Sequence, residues 1–160
     1  MTINVNPPPL QIPPNYLKTK EDEGFFNSLI RTIYQLWREV YSLRFQATTK
    51  TTDASLTAMQ RVTVNLNKTI YFEARVVARR TGGTAGSDGD SAFYRLDAAF
   101  KNIGGSLTQI GSIITNGGED QAAWNATFGI SGSEILLLAQ GAANNNITWE
   151  STLSIYEVGV

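Results

Sequence analysis

Any chemistry in this sequence rests on carboxylates, lysines and hydroxyl groups, because its 160 residues include no Cys and no His. That composition removes the usual serine and cysteine triads and nearly every zinc or transition-metal site. Paired carboxylates could still hydrolyse a glycosidic bond, with one as the acid and the other as the base or nucleophile. The carboxylates available for such a pair are Asp88, Asp90, Asp97, Glu119, Asp120 and Glu134.

Most of these carboxylates lie where acidic residues commonly form solvated turns. Asp88 and Asp90 belong to the Gly-rich segment at 81–90, and Glu119 and Asp120 follow a turn of the form NGG. The run GSDGD in that segment resembles part of a calcium loop, but it lacks the third carboxylate and the later Glu of the EF-hand pattern. The sequence therefore predicts that the protein is not an enzyme, with no catalytic residue, no metal site and no cofactor.

The charge balance argues against nucleic acid and membranes as partners. The formal net charge is −1 and 17% of the residues are charged, so no excess of Lys or Arg is available to neutralise phosphates. No apolar run approaches the roughly 20 residues of a membrane-spanning helix. The main basic concentration includes Arg75 and Arg79, which would project from one face of a strand. They could bind an anion or an acidic glycan, or they could pair with acidic side chains.

The region at 47–160 must position these side chains, and its composition is typical of β-structure. Apolar and polar residues alternate at 70–80 and at 147–158, so each strand has one buried and one solvated face. Turn residues separate the runs at regular spacing. The prediction is an eight-stranded antiparallel jelly-roll-like sandwich, with strands near 47–52, 59–65, 70–80, 91–102, 106–115, 121–129, 134–140 and 147–158.

The alternation also predicts which side chains form the core. The inward faces of two strands would carry Ile70, Phe72, Ala74, Val76, Ala78, Ile147, Trp149, Leu153 and Ile155. Trp124 and Trp149 have apolar neighbours, which favours core packing over a platform for sugar stacking. Two loops, at 81–90 and 141–146, carry polar residues suited to a ligand. The candidate ligand residues are Ser87, Asp88, Asp90, Asn144 and Asn145.

The segment at 19–46 is predicted to be a coiled-coil helix. Its apolar residues follow the alternating spacing of three and four that defines a heptad seam. Ile30 and Trp37 widen the apolar face, which favours three helices over two. The alternative is an amphipathic helix packed on its own domain, although the rest of the chain offers no second helix. The seam residues are Phe26, Leu29, Ile33, Leu36, Val40 and Leu43.

The segment at 1–18 contains all five prolines of the chain and is expected to be an extended arm. It also carries apolar residues that a solvated linker would not need. A disordered tail is one interpretation, and an anchor that lies in a groove on another protein is the other. The anchor residues would be Ile3, Val5, Leu10, Ile12, Tyr16 and Leu17.

Three blocks of the β region carry a family resemblance: EARVVARRTGG at 73–83, SAFYRLDAAFKNIGG at 91–105 with the Gly/Asp loop before it, and GAANNNITWESTLSIYEV at 141–158. These blocks look like a β-domain of tailed-bacteriophage virion proteins, namely fibre, spike and decoration proteins. The resemblance covers 48–158. It implies a small trimeric sandwich-like module at the end of a coiled-coil stem, and it transfers no catalytic residue.

Arm, stem and β region together predict a homotrimeric, non-enzymatic structural protein of a phage virion, a short fibre or spike. The arm would bind other virion proteins of the capsid or of the tail and collar, and the virion would be assembled in the bacterial host cytoplasm. The alternative function is a receptor-binding tail-fibre tip that recognises host surface glycan through the loops at 81–90 or 141–146.

Overall fold

The structure, a computed structural model, describes residues 24–33 and 45–159. Residues 24–33 form a helix, α1, and eight antiparallel strands follow, which confirms the mainly β fold predicted from the sequence. The strands are β1 (Phe45–Thr51), β2 (Leu56–Thr63), β3 (Lys68–Gly83), β4 (Ser91–Ile103), β5 (Ser106–Glu119), β6 (Asn125–Ser131), β7 (Glu134–Gln140) and β8 (Asn145–Gly159).

The eight strands form two sheets of unequal size. The five-stranded sheet has the order β1-β8-β3-β4-β5, and the three-stranded sheet has the order β2-β7-β6. The first strand, β1, and the last strand, β8, are therefore neighbours, with Phe45 opposite Leu153 and Thr51 opposite Ile147. The long strand β3 pairs with β8 on one side and with β4 on the other, and so forms the centre of the larger sheet.

Four loops lie at one end of the sandwich: three of them connect the two sheets, and the fourth connects β3 and β4 of the larger sheet. The register places Gly83 opposite Asn145 in one sheet, and Gln140 opposite both Leu56 and Asn125 in the other. We call this region the loop end, and it comprises residues 52–55, 84–90, 120–124 and 141–144.

An aromatic cluster joins the two sheets. The ring of Phe72 on β3 lies 5.8 Å from that of Phe100 on β4 and 5.6 Å from that of Phe128 on β6. The predicted inward faces of β3 and β8 are confirmed, since every apolar residue assigned to them is buried. Ser151 is buried on the same face of β8, where its hydroxyl accepts a hydrogen bond from Gln60 of the other sheet at 2.8 Å.

The second contact between the sheets is a pair of indoles near the loop end. Trp124 and Trp149 are both buried, as predicted, and their ring centroids lie 6.0 Å apart. Trp149 Nε1 donates a hydrogen bond of 2.9 Å to the hydroxyl of buried Thr51. A buried donor that loses its partner carries the full cost of desolvation.

Thr51→Val should lower the free energy of unfolding by about 1 to 3 kcal/mol, because it removes the acceptor of Trp149 while keeping the side-chain shape. Urea denaturation followed by tryptophan fluorescence measures the change. The same substitution at Thr49, two residues earlier on β1, is the control and should cost less than about 0.5 kcal/mol. Equal losses for the two variants would contradict the assigned role of the hydrogen bond.

Several predicted boundaries differ from the structure, and the largest differences are in β5, which continues to Glu119 through the predicted NGG turn, and in β6. Strand β6 begins at Asn125 rather than at residue 121, because Trp124 N donates to Gln121 O at 2.9 Å and closes a turn there. Strand β1 begins at Phe45, two residues before the predicted start of the β region. The cross-strand register with Leu153 extends β1 to this residue, whose side chain packs against the core.

The helix α1 is amphipathic only in part within its described length. Phe26 and Ile30 are half-buried, whereas Leu29 and Ile33 are 41% and 42% exposed. Its described residues lie within the predicted stem at 19–46, and residues 34–44 lie outside the described residues. Within residues 24–33 and 45–159, no helix has the length and hydropathy that crossing a membrane requires.

Candidate ligand-binding site at the loop end

The two loops predicted to hold a ligand lie against each other. Ala85 N donates a hydrogen bond of 3.1 Å to Asn144 O, and the hydroxyl of Thr81 donates one of 3.2 Å to Asn146 O. Gly83 has a φ of 94°, and a side chain there would clash with the carbonyl oxygen of Asn144. A glycine is therefore needed for the close approach of these two loops.

Arg80 holds the first loop in shape. Its Nε donates to Ala85 O at 2.8 Å, its Nη2 donates to Gly83 O at 2.7 Å, and its Nη1 pairs with Asp88. The side chain of Arg80 is 9% exposed. Its donors are therefore already used within the chain, and Arg80 is not a free cation for an anionic ligand.

Asp90 links the same loop to the segment before β6. Its Oδ2 accepts hydrogen bonds from Ser87 N at 2.7 Å and from Gln121 Nε2 at 2.8 Å. The Asp90 carboxylate therefore connects the two segments. Across the described ranges, no group of three or more acidic side chains is arranged to hold a metal ion.

The five predicted ligand residues share this end but differ in exposure. Ser87, Asp88 and Asn144 are exposed, whereas Asp90 and Asn145 are buried. Asn145 is 2% exposed, and its Oδ1 has no hydrogen-bond partner. The structure thus brings the five residues together, and three of them are accessible to a ligand.

A cavity of about 620 Å³ opens beside these loops, and the sequence did not reveal it. Such a volume is in the range of small-molecule sites in proteins. Gly117 allows β5 to pass close to the ring of Tyr94, where a side chain at that position would clash. The wall is formed by Ala54, Tyr94, Thr115, Gly117, Glu119, Ala122, Ala123, Trp124, Asn125, Gln140 and Gly141.

Two residues of the cavity wall carry buried polar atoms without hydrogen-bond partners, namely the Tyr94 hydroxyl and Trp124 Nε1. Burial raises the pKa of the Tyr94 phenol, and the nearby negative charge of Glu119 raises it further. The phenol therefore keeps its proton at neutral pH and can act as a donor. Both atoms are buried, so neither is exposed to a ligand in the cavity in this structure.

The six carboxylates considered from the sequence divide among three places. Asp88, Asp90 and Asp120 belong to the loop end, and Glu119 is the last residue of β5 beside it. Glu134 lies at the opposite end, where it pairs with Arg61 at 3.6 Å. Asp97 lies on the outer face of the larger sheet. The loop end is therefore the part of the described chain where these carboxylates come closest together in the fold.

The outer face of the larger sheet carries charged and apolar rows. Asp97 accepts a hydrogen bond of 3.1 Å from the Tyr71 hydroxyl and pairs with Arg95 at 3.6 Å. Burial raises the pKa of Tyr71, and its hydrogen bond to Asp97 adds to the increase. Arg75 lies directly opposite Arg95, so the predicted basic concentration is not neutralised by direct cross-strand pairing at this position.

The other predicted site residues are only partly described. Of the heptad seam, Phe26, Leu29 and Ile33 belong to α1, while Leu36, Val40 and Leu43 lie outside the described residues. The anchor residues Ile3, Val5, Leu10, Ile12, Tyr16 and Leu17 also lie outside them.

Comparisons with known proteins give distant structural likenesses. No family model and no curated protein matches the chain. The structure is similar to the tailspike protein of Acinetobacter baumannii phage AM24, with a TM-score of 0.41 and 6% identity over 76% of this chain and 27% of that one. It is also similar to the tailspike protein of Acinetobacter phage vB_ApiP_P1, with a TM-score of 0.29 and 20% identity over 74% of this chain and 20% of that one.

A third likeness is to the tailspike protein gp49 of Acinetobacter baumannii bacteriophage Fri1, with a TM-score of 0.30 and 14% identity over 71% of this chain. The chain spans 19% of the length of that protein, which is described as a capsular polysaccharide depolymerase. A depolymerase is an enzyme, and this finding contradicts the prediction that the chain is not an enzyme. That prediction is withdrawn, and these distant likenesses assign no residue of this chain a role.

Proposed function

We propose that this chain is a bacteriophage virion protein of the fibre or spike type, and that its loop end binds glycan on the host surface. The observation that carries the proposal is the cavity at the loop end, whose wall includes the exposed residues Thr115 and Asn125 and the half-buried Gln140. The resemblance of the β region to domains of phage fibre and spike proteins supplies the biological setting.

The chemistry of the cavity suits a sugar. Thr115, Asn125 and Gln140 supply hydroxyl and amide groups to its wall. Such groups both donate and accept hydrogen bonds, as a ring bearing several hydroxyls requires.

The scaffold around the cavity is suited to binding without rearrangement. The wall combines strand residues such as Tyr94 with loop residues such as Ala54, and Trp124 is fixed by its contact with Trp149. Arg80 and Asp90 hold the neighbouring loop through hydrogen bonds to its backbone. A site held in this way loses little conformational entropy when a ligand binds.

The same proposal includes assembly as a homotrimer through the heptad seam and attachment to other virion proteins through the arm. The exposure of Leu29 and Ile33 in the single chain supports the seam, because apolar side chains at these positions gain from a partner helix. The arm would dock on a capsid or tail and collar protein, which would place the protein on the virion.

A second candidate function is purely architectural, with the β unit in contact with other virion proteins. Val77 and Phe93 favour it, since they lie opposite each other on the outer face of the larger sheet and are each 58% exposed. Adjacent exposed apolar side chains are typical of protein contact surfaces. In that case the cavity would hold no glycan.

Asn125→Ala should weaken binding of the full chain to host cells, or to their isolated surface polysaccharide, by about tenfold, as expected for one lost hydrogen bond to a ligand. Binding is measured with fluorescently labelled protein. Asn65→Ala removes the same amide at the opposite end of the sandwich and should leave binding unchanged. Equal binding by the two variants would contradict the assigned site, and absence of binding by the native chain would favour the architectural function.

A further inference from the structure

A groove of about 410 Å³ lies on the outer face of the larger sheet, where β1, β8 and β3 are neighbours. Its wall combines hydroxyl and amide groups with one cation, one carboxylate and one apolar side chain. These residues are Gln46, Thr48, Arg75, Val77, Glu150 and Thr152. Thr152 is half-buried and the other five are exposed, so a ligand in solvent can reach all of them.

Cations lie at both ends of this groove. At one end, Arg75 is directly opposite Arg95 of β4, and at the other end Arg79 and Lys50 lie on either side of Thr148. Like charges directly opposite each other on adjacent strands destabilise a sheet. An anion bound between the guanidinium groups of Arg75 and Arg95 would remove this repulsion.

The carboxylates of the same face do not neutralise these cations. Lys50, Arg75, Arg79 and Arg95 outnumber Glu73, Asp97 and Glu150 on this part of the sheet. Among the described residues, only Arg95 and Asp97 of this set form an ion pair, at 3.6 Å through Nε of Arg95. The basic concentration found in the sequence is therefore available to an anionic ligand, which its positive potential attracts.

We infer that this groove binds a polysaccharide with uronic acid units, whose carboxylate lies between Arg75 and Arg95 and whose sugar ring lies over Val77. A guanidinium group presents parallel N–H donors that match a carboxylate, and such charge-assisted hydrogen bonds are about twice as strong as neutral ones. The hydroxyls of Thr48 and Thr152 can donate hydrogen bonds to the ring hydroxyls and accept hydrogen bonds from them.

Glu150 limits which acidic ligands fit the groove. It lies opposite both Thr48 and Val77, in the middle of the groove. A carboxylate there accepts hydrogen bonds from sugar hydroxyls but repels a second negative charge. The groove therefore favours a sugar with one carboxylate and several hydroxyls over a ligand with closely spaced charges. This surface is separate from the cavity at the loop end, so the inference goes beyond the proposed function and does not rest on it.

The inference is tested with the full chain and three probes: an oligomer of galacturonic acid, its methyl ester, and an oligomer of glutamate of the same length. Isothermal titration calorimetry should give the highest affinity for the galacturonic acid oligomer. The methyl ester keeps the ring and loses the charge, so it should bind about tenfold more weakly. Arg75→Gln should weaken binding of the acid oligomer about tenfold, and Glu150→Gln should strengthen it about threefold because a repulsive charge is removed.

The matched control is Arg61→Gln, which removes the same charge from an exposed side chain of the smaller sheet and should leave all three affinities within about twofold. Equal binding of the acid oligomer and its ester, or an unchanged affinity in Arg75→Gln, would overturn the inference. A glutamate oligomer that bound as tightly as the galacturonic acid oligomer would overturn the assigned class of ligand. Binding to host polysaccharide that is weakened by Asn125→Ala, without binding to the galacturonic acid oligomer, would overturn the inference and leave the proposed function standing.

Discussion

Phe72→Ala should lower the free energy of unfolding of the β unit by about 3 to 5 kcal/mol, the usual cost of removing a buried phenyl ring. Phe72 is fully buried and contacts Phe100 of its own sheet and Phe128 of the other. Its loss leaves a cavity where the two sheets meet. Urea denaturation monitored by tryptophan fluorescence gives the change in stability.

Val77→Ala is the matched control for this substitution. Val77 lies on the same strand but points to the outer face and is 58% exposed. Its truncation should cost less than about 0.5 kcal/mol, in line with other surface changes. If the two variants lost the same stability, the aromatic cluster would not be the main contact between the sheets.

The inward faces of the sheet could be predicted because strand periodicity is a local property of the sequence. Alternate residues from Ile70 to Ala78 are apolar, and a strand places alternate side chains on one side whatever it pairs with. The pairing itself is not local. Strand β1 lies beside β8, a partner about a hundred residues away, and only tertiary packing selects that neighbour.

The boundary of β6 shows where local reasoning fails. The sequence predicts a strand from Gln121, but the chain turns there and strand pairing starts at Asn125. Two hydrogen bonds stabilise this turn: Trp124 N donates to Gln121 O, and the side-chain amide of Gln121 donates to Asp90. The second contact depends on a loop that lies about thirty residues earlier in the chain.

The candidate site was predicted in part for the same reason. Turn residues mark the loops at 81–90 and 141–146, which the structure places together. The composition of these loops does not show that Asn145 is buried. Nor does it show that the guanidinium of Arg80 donates its hydrogen bonds to the adjoining loop. Burial and hydrogen-bond satisfaction are decided by which segments meet, and the sequence pattern does not contain that information.

The cavity was missed because its wall is assembled from separated segments. Glu119 was considered as a catalytic carboxylate and Trp124 as a core residue, and neither role suggested that the two face a common space. Trp124 is indeed in the core, with its indole against Trp149. The small residues Ala122 and Ala123 beside it are what leave room for the cavity, and short side chains before a buried Trp are the clue that the sequence offered.

Ile33→Asp should convert a three-chain assembly into single chains of 17.5 kDa, if the seam joins the copies as proposed. Ile33 is at a core position of the heptad and is 42% exposed in the single chain, so a partner helix is what would bury it. A carboxylate at that position would lose its hydration in the assembly without gaining a partner, which costs several kcal/mol for each chain.

Size-exclusion chromatography with light scattering measures the mass of the native chain and of the variant at equal concentration. Thr32→Asp introduces the same charge on the neighbouring position of α1, which is exposed and lies outside the seam, and it should keep the native mass. A variant Ile33→Asp that retained the mass of three chains would show that the seam is not what joins the copies. A native chain that eluted as a single copy would exclude the trimer itself, and the glycan site would then have to act without the multivalent binding that three copies supply.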